Sequence, residues 1–514
     1  MEVPLIGPAG SSSPVVDPFV ASSGIQSRNT KRRNKPESRL GDLTKARYVV
    51  VEHDGGVVRL VQPYFHDFET TFKERWRGKT LLEVYETEFK VTLTTPPGSS
   101  TACGSSCSGT DGASAKSDSY FAKAIRAGFI RANREHSDPL RIIKQGDRIS
   151  RLSHRHEPPV VYRSARELVV REDGDLVICN KPGSLPIHPS GAYRFNTLLY
   201  VLAVERPDLG HLFTIHRLDR LTSGLVILSK SSDGAKLVSD AIQNNAGLSA
   251  RKTYIARVSG RFPSSKADMQ KEQRGVTFAE DDEVESEENA SSSTSSSGWI
   301  TVSFPINVLD PSKGVHICDE ENGRDSISRF LFLAYDAASD SSLVKCEPIT
   351  GRTHQLRLHL QLLGHAIVND PNYGPESQLT GTESHSKKLR EDEDGNEEAE
   401  DVMTGQDPYV TRFAESCQAA IRNANQGESD ESLLAKQAQQ EQLPEATLKA
   451  VLDLCVGCSH GLHPIRHKEI WLHACRFRVN RTNFRETVQL MDFRVPFPPW
   501  IQAFSFDQDG FWRD

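Results

Sequence analysis

TIHRLDRLTSGLVILSK, residues 214–230, is the stretch on which the fold turns. Its second half, Leu225, Val226, Ile227 and Leu228, is an apolar run bounded by Gly224 and Lys230. A run this short, with turn residues at its edge, predicts a buried β-strand rather than a helix. The first half is polar and cationic, with His216, Arg217, Asp219 and Arg220 followed by Thr222 and Ser223. A loop of that composition leading into a buried strand presents its side chains to solvent from a rigid support. Asp219 is the lone carboxylate of the stretch. Between two arginines it reads either as an ordinary ion pair or as an acid held ionised for chemistry.

Alternating or punctuated segments flank this stretch on both sides. Upstream, ELVVREDGDLVICNKP is a hairpin-like alternation turning at Asp173-Gly174. NKPGSLPIHPSG is a rigid Pro/Gly loop, and FNTLLYVLAVE is a helix. Just downstream, Ser231 or Ser232 is expected to cap a helix bearing Leu237, Val238 and Ile242. RKTYIARVSG, WITVSFPI, RFLFLAYDA and EIWLHACRFRV each alternate as strands do. LVKCEPITGRTHQLRLHLQLLGHAIVNDPNYG (343–374) is the second dense segment. Thr350 is expected to cap a helix with Leu356, Leu360 and Leu363 on one face and Gly364 at its end. Arg352 and Thr353 then fall in its first turn, facing out of the core.

These segments define a catalytic-sized domain over 160–490, with polar insertions at 262–298 and 376–450 that read as disordered. Residues 1–45 are a Ser-, Pro- and Gly-rich arm with a basic cluster, Lys31, Arg32, Arg33 and Lys35. Residues 46–152 are expected to form a smaller α+β domain. It has a turn at Asp54-Gly55-Gly56, one helix near Leu81–Phe89 and a second in YFAKAIRAGFIRANRE, interrupted by a Gly/Ser/Thr-rich insertion at 96–118. SRLSHRHEPPV (150–160) reads as a connector, and 491–514 as an aromatic tail.

The 514 residues provide for two or three domains, and no window is apolar enough for a membrane span. The N-terminus carries no secretory apolar core. Nine irregularly spaced cysteines suit an intracellular chain with free thiols, and the cytoplasm is the expected compartment, with nucleus and mitochondrion open. A formal charge of −7 argues against a polyanionic partner. However, seven of residues 280–288 and eight of residues 391–401 are acidic, and without those 15 charges the remainder is +8. Phosphate binding is therefore open.

Taken together, HRLDRLTSG, KTYIARV, ITGRTHQLRLHL, NKPGSLPIHPSG and IWLHACRF resemble the motifs of the RluA-type pseudouridine synthases, in the family's order. The resemblance implies an α+β pseudouridine synthase fold, with a mixed, largely antiparallel central sheet and a catalytic cleft. The "GDRI" unit before it resembles the small αL RNA-binding module. By resemblance Asp219 is the catalytic aspartate, Arg352 its ion-pair partner and Tyr254 the active-site tyrosine, and Arg217 takes the place of the flipped base. His216 reads either as entering that stack beside Arg217 or as a hydrogen-bonder within the loop. VQPYFHDFETTFKERWRGKTLLEVYETEF and SHRHEPPV resemble the eukaryotic branch that modifies tRNA at anticodon-loop position 32. The implied reaction turns uridine into pseudouridine in RNA, by a monomer, with no cofactor and no metal, since nothing is oxidised and no water activated.

Two rivals are a catalytically silent RNA-binding or chaperone protein on the same fold and a zinc-dependent deaminase. The deaminase signature, H-x-E followed by P-C-x-x-C, is missing from the sequence. Cys455 and Cys458, with His460, His463 and His467, lie too close together for a zinc finger of ordinary spacing.

Overall fold

The computed structural model describes residues 48–53, 56–89, 119–244, 250–269, 274–279, 298–310, 314–375, 449, 469–482 and 488–512. The 96–118 insertion, both acidic runs, Cys103, Cys107 and the Cys455–His467 cluster lie outside them. No helix among the described residues is long and apolar enough to cross a membrane.

The described residues begin with a hairpin, β1 (Tyr48–His53) and β2 (Gly56–Val61), followed by β3 (Tyr64–Thr71), α1 (Leu81–Glu88) and α2 (Tyr120–Arg126). Then come β4 (Ile130–Ala132), β5 (Glu135–His136), β6 (Arg148–Arg155) and β7 (Val160–Val161). Helix α1 starts on a reciprocal Thr80–Glu83 capping box. Strands β3, β6, β4 and β5 form one antiparallel sheet, and both helices bury Leu81, Val84, Phe121 and Ile125 against it.

Two boundaries differ from the sequence reading. Much of the 150–160 connector is strand: β6 runs to Arg155, paired with β3 in unbroken register, because the chain-breaking prolines come only at 158 and 159. The β1–β2 hairpin, in turn, packs on the larger domain. Strand β2 pairs with β7, and Tyr48, Val61 and Tyr64 bury against Phe195 and Tyr200. Arg59, buried there, donates to the Phe195 carbonyl at 2.8 Å and to Asn196 Oδ1.

The larger domain continues with α3 (Ala165–Leu168), β8 (Val169–Asp173), β9 (Leu176–Lys181), α4 (Leu198–Glu205), β10 (Phe213–Thr214), β11 (Ser223–Ser229), α5 (Ser232–Asn244) and β12 (Ala250–Ser259). There follow β13 (Val276–Ala279), β14 (Trp299–Ser303), β15 (Ile306–Asp310), β16 (Val315–Cys318), β17 (Ile327–Asp336), β18 (Ser341–Pro348), α6 (Gln355–Leu362), β19 (Leu472–Thr482) and β20 (Val488–Arg494). The main sheet has eleven strands, ordered β13-β14-β17-β18-β12-β19-β11-β9-β8, with β10 on β11 and β20 on β19. Among its described pairings only β11–β19 runs parallel, so the sheet is mixed and largely antiparallel as expected.

Every residue of β11 is buried, which is why it reads as an unbroken apolar run. At its start Gly224 lies beside Ala474 of β19, and a Cβ there would fall 2.2 Å from the Ala474 carbonyl oxygen. Glycine admits that approach, and with it the return of a strand 250 residues later in the chain. One stretch expected to be disordered carries order: β13 lies within 262–298 and pairs with β14. In the aromatic tail, Ile501, Phe504 and Phe511 are buried against the sheet.

Candidate active site

The C-terminal edge of β10, the start of β11, the outer half of β12 and the loop before α6 surround one cleft of about 590 Å³. Asp219, on the loop between β10 and β11, stands at its wall and is 21% exposed. The Asp219 carbonyl accepts from Thr222 N, a turn that delivers the chain into buried β11. Beneath the loop, Lys181 of β9 is fully buried and donates to the Arg220 carbonyl at 3.2 Å and to that of Pro182 at 2.8 Å. Burial pulls the Lys181 ammonium down to about 7, and the nearby Asp219 charge offsets part of that effect.

The cation facing Asp219 is Arg357, not Arg352. Arg357 Nη1 and His354 Nε2 each lie 3.8 Å from Asp219 Oδ2. Arg357 is 3% exposed, and its Nε and Nη2 grip both oxygens of buried Asp370 at 2.6 and 2.7 Å. Burial opposes the charge on this guanidinium, but Asp370 and Asp219 outweigh it and raise its pKa. The three guanidinium nitrogens thus serve two carboxylates. Arg352 lines the same cleft, but its Nε donates to the Asp325 carbonyl at 3.1 Å, and no ion pair joins it to Asp219.

The expected pairing fails because the helix starts later than its apolar spacing suggests. Thr350 does not cap it; the Thr350 hydroxyl accepts from Ile327 N and donates to Gln355 Oε1. The capping position falls to His354, in the left-handed region at φ 58, and α6 begins at Gln355. Arg352 therefore sits on an exposed loop, while Arg357 lies inside the helix. An arginine amid apolar helix positions, followed by the Asp370–Tyr373 turn, is the signal that could have marked it.

Burial and then Arg357 hold His354 down at about 4, so its ring is neutral at physiological pH. Its Nδ1 lies 2.8 Å from the Tyr373 hydroxyl, which already accepts from His316 N at 3.1 Å. In the tautomer where buried Tyr373 donates its phenolic proton to His354 Nδ1, the imidazole proton sits on Nε2, facing Asp219.

Tyr254 lines the cleft from β12, and burial together with the Asp219 charge raises its phenol, which stays protonated at neutral pH. Arg217 is exposed on the cleft rim, with no ion pair among the described residues. Of its two readings, His216 takes the hydrogen-bonding one rather than the base-stacking one. Its Nε2 accepts from Ile227 N at 3.1 Å, its ring stacks on Phe477, and burial holds it neutral at about 3. It fastens the loop to β11, and its ring is held too firmly to enter a base stack. Among the described residues no cluster of His, Cys, Asp and Glu could hold a metal ion.

A family model described as RNA pseudouridylate synthase matches residues 175–362, which include Asp219, Tyr254 and Arg357. The chain belongs to that family, and its main sheet is the pseudouridine synthase fold. The Saccharomyces cerevisiae tRNA pseudouridine(31) synthase is 31% identical, over 62% of this chain and 72% of that protein. The mitochondrial tRNA pseudouridine(32) synthase of the same yeast is 32% identical, over 62% of this chain and 55% of its own length. Human pseudouridylate synthase RPUSD2 is 32% identical, over 69% and 55%. The chain thus spans about half the length of the last two.

Proposed function

We propose that this chain is an RNA pseudouridine synthase, acting as a monomer on the anticodon stem–loop of tRNA at position 32, with Asp219 as the catalytic residue. One observation carries the reading: a single carboxylate on a cleft wall, faced by Arg357 and a neutral His354, each 3.8 Å from the same oxygen. A carboxylate so placed is oriented for an attack or deprotonation at the ribose of a flipped uridine. The N1–C1′ bond breaks, the uracil turns within the cleft, the C5–C1′ bond forms, the C5 proton leaves to solvent, and the freed N1 takes up a proton from solvent. Tyr254 offers a ring against the base and a protonated hydroxyl. Arg217 replaces the flipped base in the RNA stack. No step calls for a cofactor.

The names of the two yeast relatives, at positions 31 and 32, support the anticodon stem–loop as the target. The test is tritium release from tRNA labelled at uracil C5, with sequencing of the product to separate positions 31 and 32. Wild type should release tritium and Asp219→Ala should not. Release by Asp219→Ala at the wild-type rate removes the aspartate from the mechanism, and no release by either protein favours a silent RNA binder. Fractionation separates the expected cytoplasmic location from the mitochondrial one named for a yeast relative.

A further inference from the structure

We propose that the RNA is gripped outside the cleft by a track of arginines and aromatic rings, running from the catalytic loop across the joint onto the small N-terminal domain. This rests on the RNA-modifying reading above and locates the second half of the grip. The track starts at Arg220, directly after Asp219, whose guanidinium lies 5.6 Å from the centre of the Tyr193 ring. The next residue, Arg194, reaches across the joint, with Nη1 at 2.9 Å from His66 Nε2 of β3. From the other side Arg155, the last residue of β6, donates Nη2 to the Gly191 carbonyl at 3.0 Å. Its guanidinium also lies 5.0 Å from the Phe68 ring, which is 42% exposed.

The charge balance along this path differs from that of three other arginines of the small domain. Arg131, Arg134 and Arg148, on the same sheet, are each paired with Asp67 or Glu69. Arg155, Arg194 and Arg220 have no ion pair within 4.0 Å among the described residues. The carboxylate at the joint, Glu157, is buried and already accepts from the Tyr64 hydroxyl and the Phe195 and Asn196 amides. Three guanidiniums without ion pairs, forming the proposed track and set beside aromatic rings, suit a phosphate backbone with sugars or unpaired bases stacked between. The line begins beside the residue that would act on the target nucleotide, so a strand entering the cleft has a continuous path onto the small domain.

The test uses the full chain and the double variant Arg155→Gln, Arg194→Gln, which removes both charges and keeps a donor at each position. Binding of unmodified tRNA transcript is measured at 50 and 200 mM KCl. Two lost phosphate contacts lower the salt slope by about 1.5, so the affinity deficit of the variant is about tenfold larger at 50 mM than at 200 mM. Unchanged affinity and slope overturn the proposal. So does weaker binding with an unchanged slope, which would make the arginines a latch between domains; a thermal melt of each protein reports that latch directly. Tritium release keeps the two readings apart. If wild type releases none and the variant still loses affinity and slope, the surface stands and the synthase reading falls. If wild type releases tritium and the variant binds normally, the reverse holds.

Discussion

Replacing Arg357 with Met tests which arginine serves the aspartate, and the structure sets the size of the effect. Methionine keeps most of the buried aliphatic stem and removes all three nitrogens. Asp370 is then buried with no cation, a loss on the order of 3–5 kcal/mol of fold stability. Asp219 also loses its facing charge. At 3.8 Å that attraction is about 4 kcal/mol in an effective dielectric of about 20, and partial exposure of Asp219 cuts it to about 1–2 kcal/mol. If that difference is realised in the transition state, the rate falls roughly 5- to 30-fold. The assay is single-turnover pseudouridine formation at saturating tRNA, well below the melting temperature. Asp370→Asn is the control: it loses stability but leaves the guanidinium facing Asp219, so its rate should stay near wild type. Arg352→Met, which breaks only an exposed bond to the Asp325 carbonyl, should change the rate less than about threefold and stability by under about 0.5 kcal/mol. A wild-type rate in Arg357→Met, or an equal collapse in Arg352→Met, would refute the pairing.

Three further outcomes follow from the same geometry. Tyr254→Phe keeps the ring and removes the hydroxyl, so tRNA affinity should hold while turnover slows by about 10²-fold if the phenol transfers a proton; equal turnover leaves Tyr254 with stacking alone. Gly224→Ala places a methyl 2.2 Å from the Ala474 carbonyl at φ +109, and urea unfolding should show a loss of about 3 kcal/mol or more, with no folded protein as the extreme. Acid should weaken the fold: His216 and His473 are held at about 3, and His354 and His359 at about 4, all by burial. The unfolded chain takes up these protons near pH 6.5, so below that the unfolded state binds more protons. Each histidine then removes up to about 1.4 kcal/mol per pH unit until its folded value is reached. Urea midpoints should therefore fall between pH 7 and pH 5, and a flat profile would contradict the buried, neutral assignment.

The chain's local patterns carried a good deal of this. The apolar run Leu225–Leu228 determined a buried strand, and the alternation in 251–260 and 329–337 determined two further strands of the same sheet, because burial on a pleated sheet leaves a period that composition displays. Asp219 could be singled out because one acid stood in a cationic loop entering that strand. Tertiary structure decided the rest. Whether Arg352 or Arg357 faces Asp219 depends on where α6 begins. That start is set by bonds from Thr350 and Gln355 to Ile327 and Ser328, more than 20 residues earlier in the chain. The hairpin at 48–61 joined the larger domain through burial of Arg59 against Phe195 and Asn196, and β19 entered the sheet beside Gly224 across 250 residues. Such contacts leave no period in the sequence. They depend on which distant surfaces meet, and that is known only once the chain has folded.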